Sequence, residues 1–550
     1  MIALTLKHIT IAYGTEPIFT DLYWEIHDAH IVGLVGPNGC GKSSILRLIM
    51  GDKDHLVAGE IIATPNLRVG YLPQDPQFNP DHTVWQEALT ASPELNQIEA
   101  DLTHIETKLA DPDVYGDEKK LARTLDHQER LLQQYEELGG NTFVSRLRST
   151  LLGLGFAPPE LHLPVTALSG GQKKLVGLTK LLVNQPDLLL LDEPDNHLDL
   201  AGKQRLEQYI RNYNGGVVIV SHDRYMLDLV ADEIVELNNG QLTHYPGNYS
   251  EYVFERETRL LRQQQMYQAQ QKEINRLEQA ANRLLLWGKI FDNEKFSRRG
   301  QSMMKRLDKV ERIDRPDLDP DRMQLYLTGS RGSTKALEII DLDKLYPAPS
   351  DPNDELIILA GLNLLINHGQ RVGLVGPNGA GKSVLFRLIL GHEQPTNGTI
   401  KIGPSTKVGY YAQEHESLDP NRTLLDTVRH TAPLSEGNAV SFLGRFLFPY
   451  EQTHNYVRDL SGGERSRLQM ALLMLTRPNF LLLDEPTNNL DIPSIEVLET
   501  ALEEFDGTAL IISHDRYFLD RTVNRIVELD DGALNQYLGN YSAYEASKHQ

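Results

Sequence analysis

Two octapeptides in this chain hold residues suited to phosphate chemistry: Gly36-Pro37-Asn38-Gly39-Cys40-Gly41-Lys42-Ser43 and Gly376-Pro377-Asn378-Gly379-Ala380-Gly381-Lys382-Ser383. Glycines let backbone N–H groups crowd an anion, a helix N-terminus adds partial positive charge, and the lysine reaches terminal phosphates. The hydroxyl of Ser43 or Ser383 is suited to ligate Mg²⁺. Each octet follows an apolar run (Ile31 to Val35, Val372 to Val375) and precedes a helical pattern that opens at Ser44 or Val384. Strand, glycine loop and helix, in that order, are the context a phosphate cradle requires. Two matched copies imply two nucleoside-triphosphate sites.

Further motif pairs supply the rest of a hydrolytic site. Leucine-rich runs ending in Asp192-Glu193-Pro194 and Asp484-Glu485-Pro486 read as parallel strands buried on both faces. The aspartate emerges at the strand's carboxyl end, where it can hold Mg²⁺ directly or through water. The following glutamate, Glu193 or Glu485, is placed to polarise a water for attack on a γ-phosphate. His222 and His514 each sit in Ser-His-Asp-Arg-Tyr, at the ends of neighbouring strands, within reach of that phosphate. A lone histidine is more often structural; two in one context point to function. Gln74 and Gln413 are matched candidates for ligating Mg²⁺ or its water.

The elements that position these residues form a duplication. The offset between copies is 340 at Gly36/Gly376 and 339 at Gln74/Gln413, but 292 at Ser169/Ser461, Asp192/Asp484 and His222/His514. The first copy therefore carries about 47 extra residues, the difference between 339 and 292, within roughly 91–142. Ser92-Pro93-Glu94 offers a helix start, and Ile98, Leu102, Ile105 and Leu109 recur at helical spacing. Leu121, Leu125, Leu132 and Tyr135 continue the stripe until Gly139-Gly140 ends it, so the insert reads as a helical hairpin, a candidate docking arm. The domains expected are 1–254, a first cassette with its arm; 255–320, a linker; and 321–550, a second cassette.

The linker reads as a long helix from Glu251 to about Leu286, a less regular tip, and a second helix near Ser302 to Ile313. Between Asn282 and Arg312 it holds Arg283, Lys289, Lys295, Arg298, Arg299, Lys305, Arg306, Lys309 and Arg312 against Asp292, Glu294, Asp308 and Glu311, a local balance of +5 in a chain of −22. Cations for phosphates and rings for stacking, Trp287 with Phe291 and Phe296, suit a contact with RNA. The alternative is a solvated hairpin whose Trp287 packs its two helices together.

Composition bounds the rest. The 550 residues suffice for two to four domains, and 40% hydrophobic with 24% charged content is that of a globular protein. The longest apolar runs fall far short of a membrane span, and the N-terminus reads as a strand, not a secretion signal. A single cysteine, Cys40, cannot form an internal disulfide, so a reducing, cytoplasmic compartment is expected. The net charge of −22 excludes a general nucleic-acid binder; such contact must be local.

Together these motifs resemble the ATP-binding cassette superfamily, and in their order (cassette with arm, basic helical linker, cassette) they resemble its ABC-F family. The fold implied is α/β: two P-loop ATP-binding cassettes, each a mostly parallel sheet core with a helical subdomain, joined by a long helical-hairpin linker. The resemblance makes Ser169-Gly170-Gly171 and Ser461-Gly462-Gly463 signature turns that face the γ-phosphate of the opposite cassette. Lys42 is then paired with Ser461, and Lys382 with Ser169. It assigns Tyr13 and Tyr346 to adenine stacking, although Pro347 to Asp354 lengthens the loop after Tyr346. It implies an ATPase requiring Mg²⁺ that binds the ribosome, with the linker entering the exit-tRNA site and approaching the peptidyl-tRNA and the peptidyl-transferase centre. No membrane subunit is expected, and one chain pairs its own cassettes as a monomer.

One departure stands out: the family's Asp-Glu-Pro-Thr-Asn is kept at Thr487-Asn488, while the first copy has Asp195-Asn196. Both sites retain lysine, glutamate and histidine, so both are expected to be competent. Three other readings share the motifs: antibiotic resistance by ribosome protection, a DNA-associated cassette ATPase, and a regulatory partner of a membrane protein. The acidic body and the missing C-terminal coiled coil disfavour the DNA reading, and the linker disfavours the membrane one.

Overall fold

The computed structural model describes residues 1–13, 16–109, 118–137, 139–290, 294–309, 323–327, 332–347, 355–412 and 418–548. The first cassette opens with β1 (Ile2–Tyr13) and β2 (Glu16–His27), followed by β3 (Ile31–Val35), α1 (Lys42–Ile49), β4 (Leu56–Ala63) and β5 (Val69–Leu72). A helical portion follows: α2 (Val84–Leu89), α3 (Pro93–Leu109), α4 (Glu118–Glu137), α5 (Gly140–Gly153) and α6 (Gly170–Asn184). The chain returns through β6 (Leu188–Asp192), α7 (Leu200–Arg211), β7 (Gly216–Val220), α8 (Arg224–Val230), β8 (Glu233–Asn238) and β9 (Gln241–Pro246).

Six strands form one sheet in the order β5-β6-β7-β3-β8-β9, parallel except for β9, while β2-β1-β4 form an antiparallel sheet. Leu188 to Leu191 are wholly buried, as a run of leucines covered on both faces requires. The ordering matters for the site. Strands β6, β7 and β3 are adjacent, with Asp192 level with Val220 and Val220 level with Leu34. The loops carrying Glu193, His222 and the glycine octet therefore leave neighbouring carboxyl ends, where parallel α/β sheets bind ligands.

The arm is a pair of helices, α3 and α4, closed by Ile98, Ile105 and Leu131, with the Tyr135 hydroxyl donating to Glu99 at 2.9 Å. Pro93 occupies the first turn of α3, and Gly139, in a left-handed conformation, precedes α5.

The linker differs from its expected form. α9 runs unbroken from Tyr249 to Ile290, 42 residues, across the expected 254/255 boundary; Tyr249 and Tyr252 at its root are buried in the first cassette's core. α10 (Glu294–Leu307) begins eight residues before the expected Ser302. Only 291–293 separate the two described helices, so Lys295, Arg298 and Arg299 stand on a helix rather than in an irregular tip. Gly300 lets the helices close: a Cβ there would meet Leu285 Cγ at 2.7 Å and the Ala281 carbonyl at 3.1 Å. Trp287 meets Phe296 edge-on, with ring centres 6.3 Å apart, so these two aromatics pack the hairpin together. Phe291 lies outside the described residues.

The second cassette repeats the first: β10 (Lys335–Pro347), β11 (Glu355–Asn367), β12 (Arg371–Val375), α11 (Lys382–Ile389), β13 (Asn397–Ile402), β14 (Val408–Tyr411), α12 (Leu424–Thr431), α13 (Glu436–Gly444) and α14 (Gly462–Thr476). It ends with β15 (Phe480–Asp484), α15 (Ile492–Glu503), β16 (Thr508–Ile512), α16 (Arg516–Thr522), β17 (Arg525–Asp530), β18 (Ala533–Leu538) and α17 (Tyr541–Lys548). Its large sheet, β14-β15-β16-β12-β17-β18, matches the first strand for strand. No helix among the described residues is long and apolar enough to cross a membrane.

Candidate active sites between the cassettes

Each glycine octet wraps the N-terminus of a helix. Gly41 and Gly381 precede α1 and α11 with φ of 103° and 95°, a left-handed region open to glycine. Gly36 and Gly376 pass so close to the carbonyls of Leu237 and Leu529 that any Cβ would collide. These two shape the loop from behind, while Gly39, Gly41, Gly379 and Gly381 line the cavities. The Lys42 ammonium donates to the carbonyls of Gly36 (2.8 Å) and Pro37 (2.9 Å); Lys382 does the same to Gly376 and Pro377, both at 2.8 Å.

The two cassettes complete one another's sites. A cavity of about 480 Å³ is lined by Asn38, Lys42, Ser43 and Ser44 of one octet and by Ser461, Gly462 and Gly463 of the other cassette. A second, of about 610 Å³, joins Asn378, Lys382, Ser383 and Val384 to Ser169 and Gly170. Gly171 stands behind, packed on the His197 carbonyl. Asn38 N donates to Asp491 Oδ2, and Asn378 N to Asp199 Oδ2, both at 3.2 Å; the side chains reach the Asn489 (3.3 Å) and His197 (3.1 Å) carbonyls. The Ser169 hydroxyl accepts from Gln172 N at 3.2 Å and Ser461 from Glu464 N at 3.3 Å, so these hydroxyls cap α6 and α14.

The carboxylates sit at bent backbone. Glu193 and Glu485 have φ of 48° and 49°, and their N–H groups donate to Val220 and Ile512 at 2.8 and 2.9 Å. Gln74 and Asn196 donate to Glu193 Oε2 at 2.7 and 2.6 Å. His222 Nε2 lies 3.7 Å from Glu193 Oε1, and His514 Nε2 3.5 Å from Glu485 Oε1. Burial, reinforced by Asp192, raises the Glu193 carboxyl; burial and Asp484 push Glu485 up to about 7. Burial, with Lys42 beyond it, depresses His222 to about 3, and burial with Lys382 depresses His514 likewise. Burial thus favours the neutral imidazole at both positions, and each ring lies 3.5 Å or more from its glutamate oxygen.

A divalent cation fits beside Ser43 and Asp192. Asp192 Oδ1 is buried without a hydrogen-bond partner, and burial raises this carboxyl against the opposing pull of the Ser43 and Tyr71 hydroxyls. Among the described residues no group of three or more His, Cys, Asp or Glu is gathered to hold a metal unaided, so phosphate oxygens and water would complete the set. Ser383 and Asp484 line the second cavity in the equivalent places.

Tyr346, expected to stack on adenine, makes its described contacts outside the cavity. The Tyr346 hydroxyl donates to Glu393, the Lys344 ammonium lies 4.8 Å from its ring centre, and it does not line the cavity. The Tyr13 side chain and Gln413 lie outside what the structure describes. Conversely, Ser-His-Asp-Arg-Tyr does more than carry a histidine. Arg224 forms a two-pronged ion pair with Glu499 of the other cassette, its guanidinium 4.2 Å from the Tyr517 ring centre. Arg516 pairs in the same way with Glu207, 3.9 Å from Tyr225. Both arginines follow the histidine motif in sequence, but only the paired arrangement reveals that they cross.

Strand ends bearing a phosphate loop, an Asp-Glu pair and a histidine, doubled and closed on one another's Ser-Gly-Gly turns, define a tandem ATP-binding cassette. A family model described as "ABC transporter" matches residues 19–196 and 359–488, and another of the same description matches 235–325. The chain is similar to "Energy-dependent translational throttle protein EttA" of Escherichia coli (strain K12), 37% identical over 524 residues, covering 94% of this chain and 90% of that one. It is also similar to "ABC transporter F family member 5" of Arabidopsis thaliana, 34% identical over 546 residues, covering 98% and 76%. Among solved structures, the archaeal ribosome recycling factor aABCE1, in complex with ribosomal stalk protein aP1, shares the fold at TM-score 0.59 and 18% identity, over 98% of this chain and 92% of that one. The chain belongs to the ABC-F family of tandem ATP-binding cassette proteins and is an ATPase that binds ATP.

Proposed function

We propose that this ATPase is a cytoplasmic translation factor that binds the ribosome with its cassettes closed on ATP and leaves when ATP is hydrolysed. One observation carries the reading. In a chain of net charge −22, α9, α10 and the turn after α10 expose Arg283, Lys289, Lys295, Arg298, Arg299, Lys305, Arg306 and Lys309 to solvent. Phosphate contacts from lysine and arginine fix a protein on nucleic acid, and a local basic stripe on an acidic body confines that contact to the hairpin. The printed name of the bacterial relative, a translational throttle, agrees with such a client. In the finer form of the proposal, the hairpin enters the exit-tRNA site and meets tRNA and rRNA near the peptidyl-transferase centre. Trp287, 45% exposed, offers an RNA base its remaining face.

In the sites, the octets, Lys42 and Lys382 hold the phosphates, while Glu193 and Glu485 orient and deprotonate water. His222 and His514 read the γ-phosphate as neutral donors, and the Ser169 and Ser461 turns close from the far side. Mg²⁺ held by Ser43 with Asp192 and by Ser383 with Asp484 would neutralise phosphate charge, with Gln74 and Gln413 the matched candidates for ligating it or its water. Co-sedimentation of the Glu193→Gln/Glu485→Gln chain with bacterial ribosomes tests the proposal. Binding is expected with ATP and not ADP, weakened about tenfold or more when Arg298, Arg299, Lys305 and Arg306 are neutralised. Failure to sediment with ribosomes in either nucleotide would overturn it.

A further inference from the structure

The first cassette contains a buried charge cluster that the second lacks. Asp195, Lys203 and Asp223 stand where Thr487, Ile495 and Asp515 stand in the other copy. Lys203, on α7, is 7% exposed, and its ammonium donates to Asp223 Oδ2 at 2.8 Å. Asp195 accepts from the Ser221 hydroxyl at 2.8 Å. Burial disfavours the ammonium, but Asp223 and Asp195 more than offset it and hold the lysine charged.

The cluster faces the other cassette. α7 is capped by Asp199, the residue that accepts from Asn378 N, so its first turn is seated on the opposing phosphate loop. Lys203, one turn further, lines the 610 Å³ cavity with Lys382, Glu485 and His514. Its counterpart Ile495 is buried in the second cassette's apolar core and does not line the 480 Å³ cavity. The site built on the second octet thus has an ammonium from across the interface, where the first has none from the matching position.

We propose that Lys203 is a positioning residue for hydrolysis at the second site, acting across the interface, and that the two sites consequently turn over unequally. The inference rests on the assignment of Glu193 and Glu485 as the bases of the two sites. Asp223, which follows His222 of the first site, fixes the cation within the second. A fixed ammonium lining the cavity stabilises negative charge building on an attacking water and a γ-phosphate, without reorganising as it does so. It also orients the Glu485 carboxylate toward the water. Isoleucine supplies packing alone.

Steady-state phosphate release from the full chain, in single-site backgrounds, separates the possibilities. Glu193→Gln leaves the second site as the hydrolytic one and Glu485→Gln leaves the first. Near-complete loss of activity in the double variant supports the assignment of the bases; its survival refutes that assignment. Lys203→Ile is expected to lower kcat at least about tenfold further in the Glu193→Gln background than in the Glu485→Gln background, with KM shifted less than about twofold. Lys203→Arg is expected to restore part of the loss, which a packing role would not. Should Lys203→Ile alone fail to fold, Asp195→Thr/Lys203→Ile installs the second cassette's own pair. It removes one buried charge of each sign and leaves Asp223 with Arg516 at 4.0 Å. An equal fall in both backgrounds, or a fall in KM terms alone, would overturn the proposal.

Discussion

His222 and His514 show how much of the chemistry is set by enclosure. Each imidazole points at a catalytic carboxylate from beyond hydrogen-bond length and is kept neutral by burial. In the unfolded chain the same rings take up protons near pH 6.5, whereas His222 does so only near 3 in the fold. The folded state therefore binds fewer protons in that window. Stability attributable to His222 is fully present above pH 6.5 and is lost as the pH falls toward 3, at roughly 1 kcal/mol per pH unit, and His514, also depressed by burial, contributes in the same direction. Urea melts between pH 7.5 and 5.5 should show a shallower decline for His222→Gln/His514→Gln than for the parent; parallel declines would refute this. Loss of the bases has a different signature. Glu193→Gln/Glu485→Gln should cut phosphate release by at least about 100-fold while ATP remains bound, measured by nucleotide retention. The octets, Asp-Glu pairs and histidines were legible because the chemistry demands particular residues at short fixed spacings. The contact of Tyr346 with Glu393 was not, because that partner is brought to it by folding rather than by sequence proximity.

At the scale of elements, the linker hairpin depends on close approach. Ala281 is fully buried, and Gly300 faces it and Leu285 across the two helices. Gly300→Leu is expected to force the helices apart, at a cost of about 1–3 kcal/mol typical of overpacking. Limited proteolysis should then cut within α10 much faster than in the parent, while ATPase activity stays within about twofold. Unchanged cleavage would show that the hairpin is held elsewhere. The long α9 was visible as a run of Arg, Gln, Glu and Leu. The start of α10 was not, since Trp-Gly-Lys-Ile-Phe-Asp-Asn-Glu interrupts helical periodicity with glycine and paired Asp-Asn. The described helices nonetheless run through Ile290 and from Glu294, and Trp287 and Phe296 pack them against each other.

For the molecule as a whole, the two cassettes are joined by reciprocal ion pairs. Arg224 with Glu499 and Arg516 with Glu207 are buried, and each arginine lies against a tyrosine of the other cassette. Such pairs contribute little over apolar packing, but breaking one strands a buried charge at a cost of about 3–5 kcal/mol. Arg516→Ala, which leaves Glu207 without its cation, should therefore weaken cassette closure and ATPase activity more than Arg516→Ala/Glu207→Ala does, read by ATP-induced compaction in solution scattering. A double variant as impaired as the single one would deny the pairing that role.

α9 has a mechanical consequence. It leaves the first cassette through Tyr249, Tyr252 and the Arg256–Glu236 ion pair (3.0 Å), then runs to Ile290 without a break, about 60 Å of rigid rod. A rod clamped at one end converts angle into distance: each degree of rotation at the root swings the far end by about 1 Å. Adjustments too small to disturb the sheets could thus move the basic tip through the width of a nucleotide base, a lever whose fulcrum stands beside the first phosphate loop.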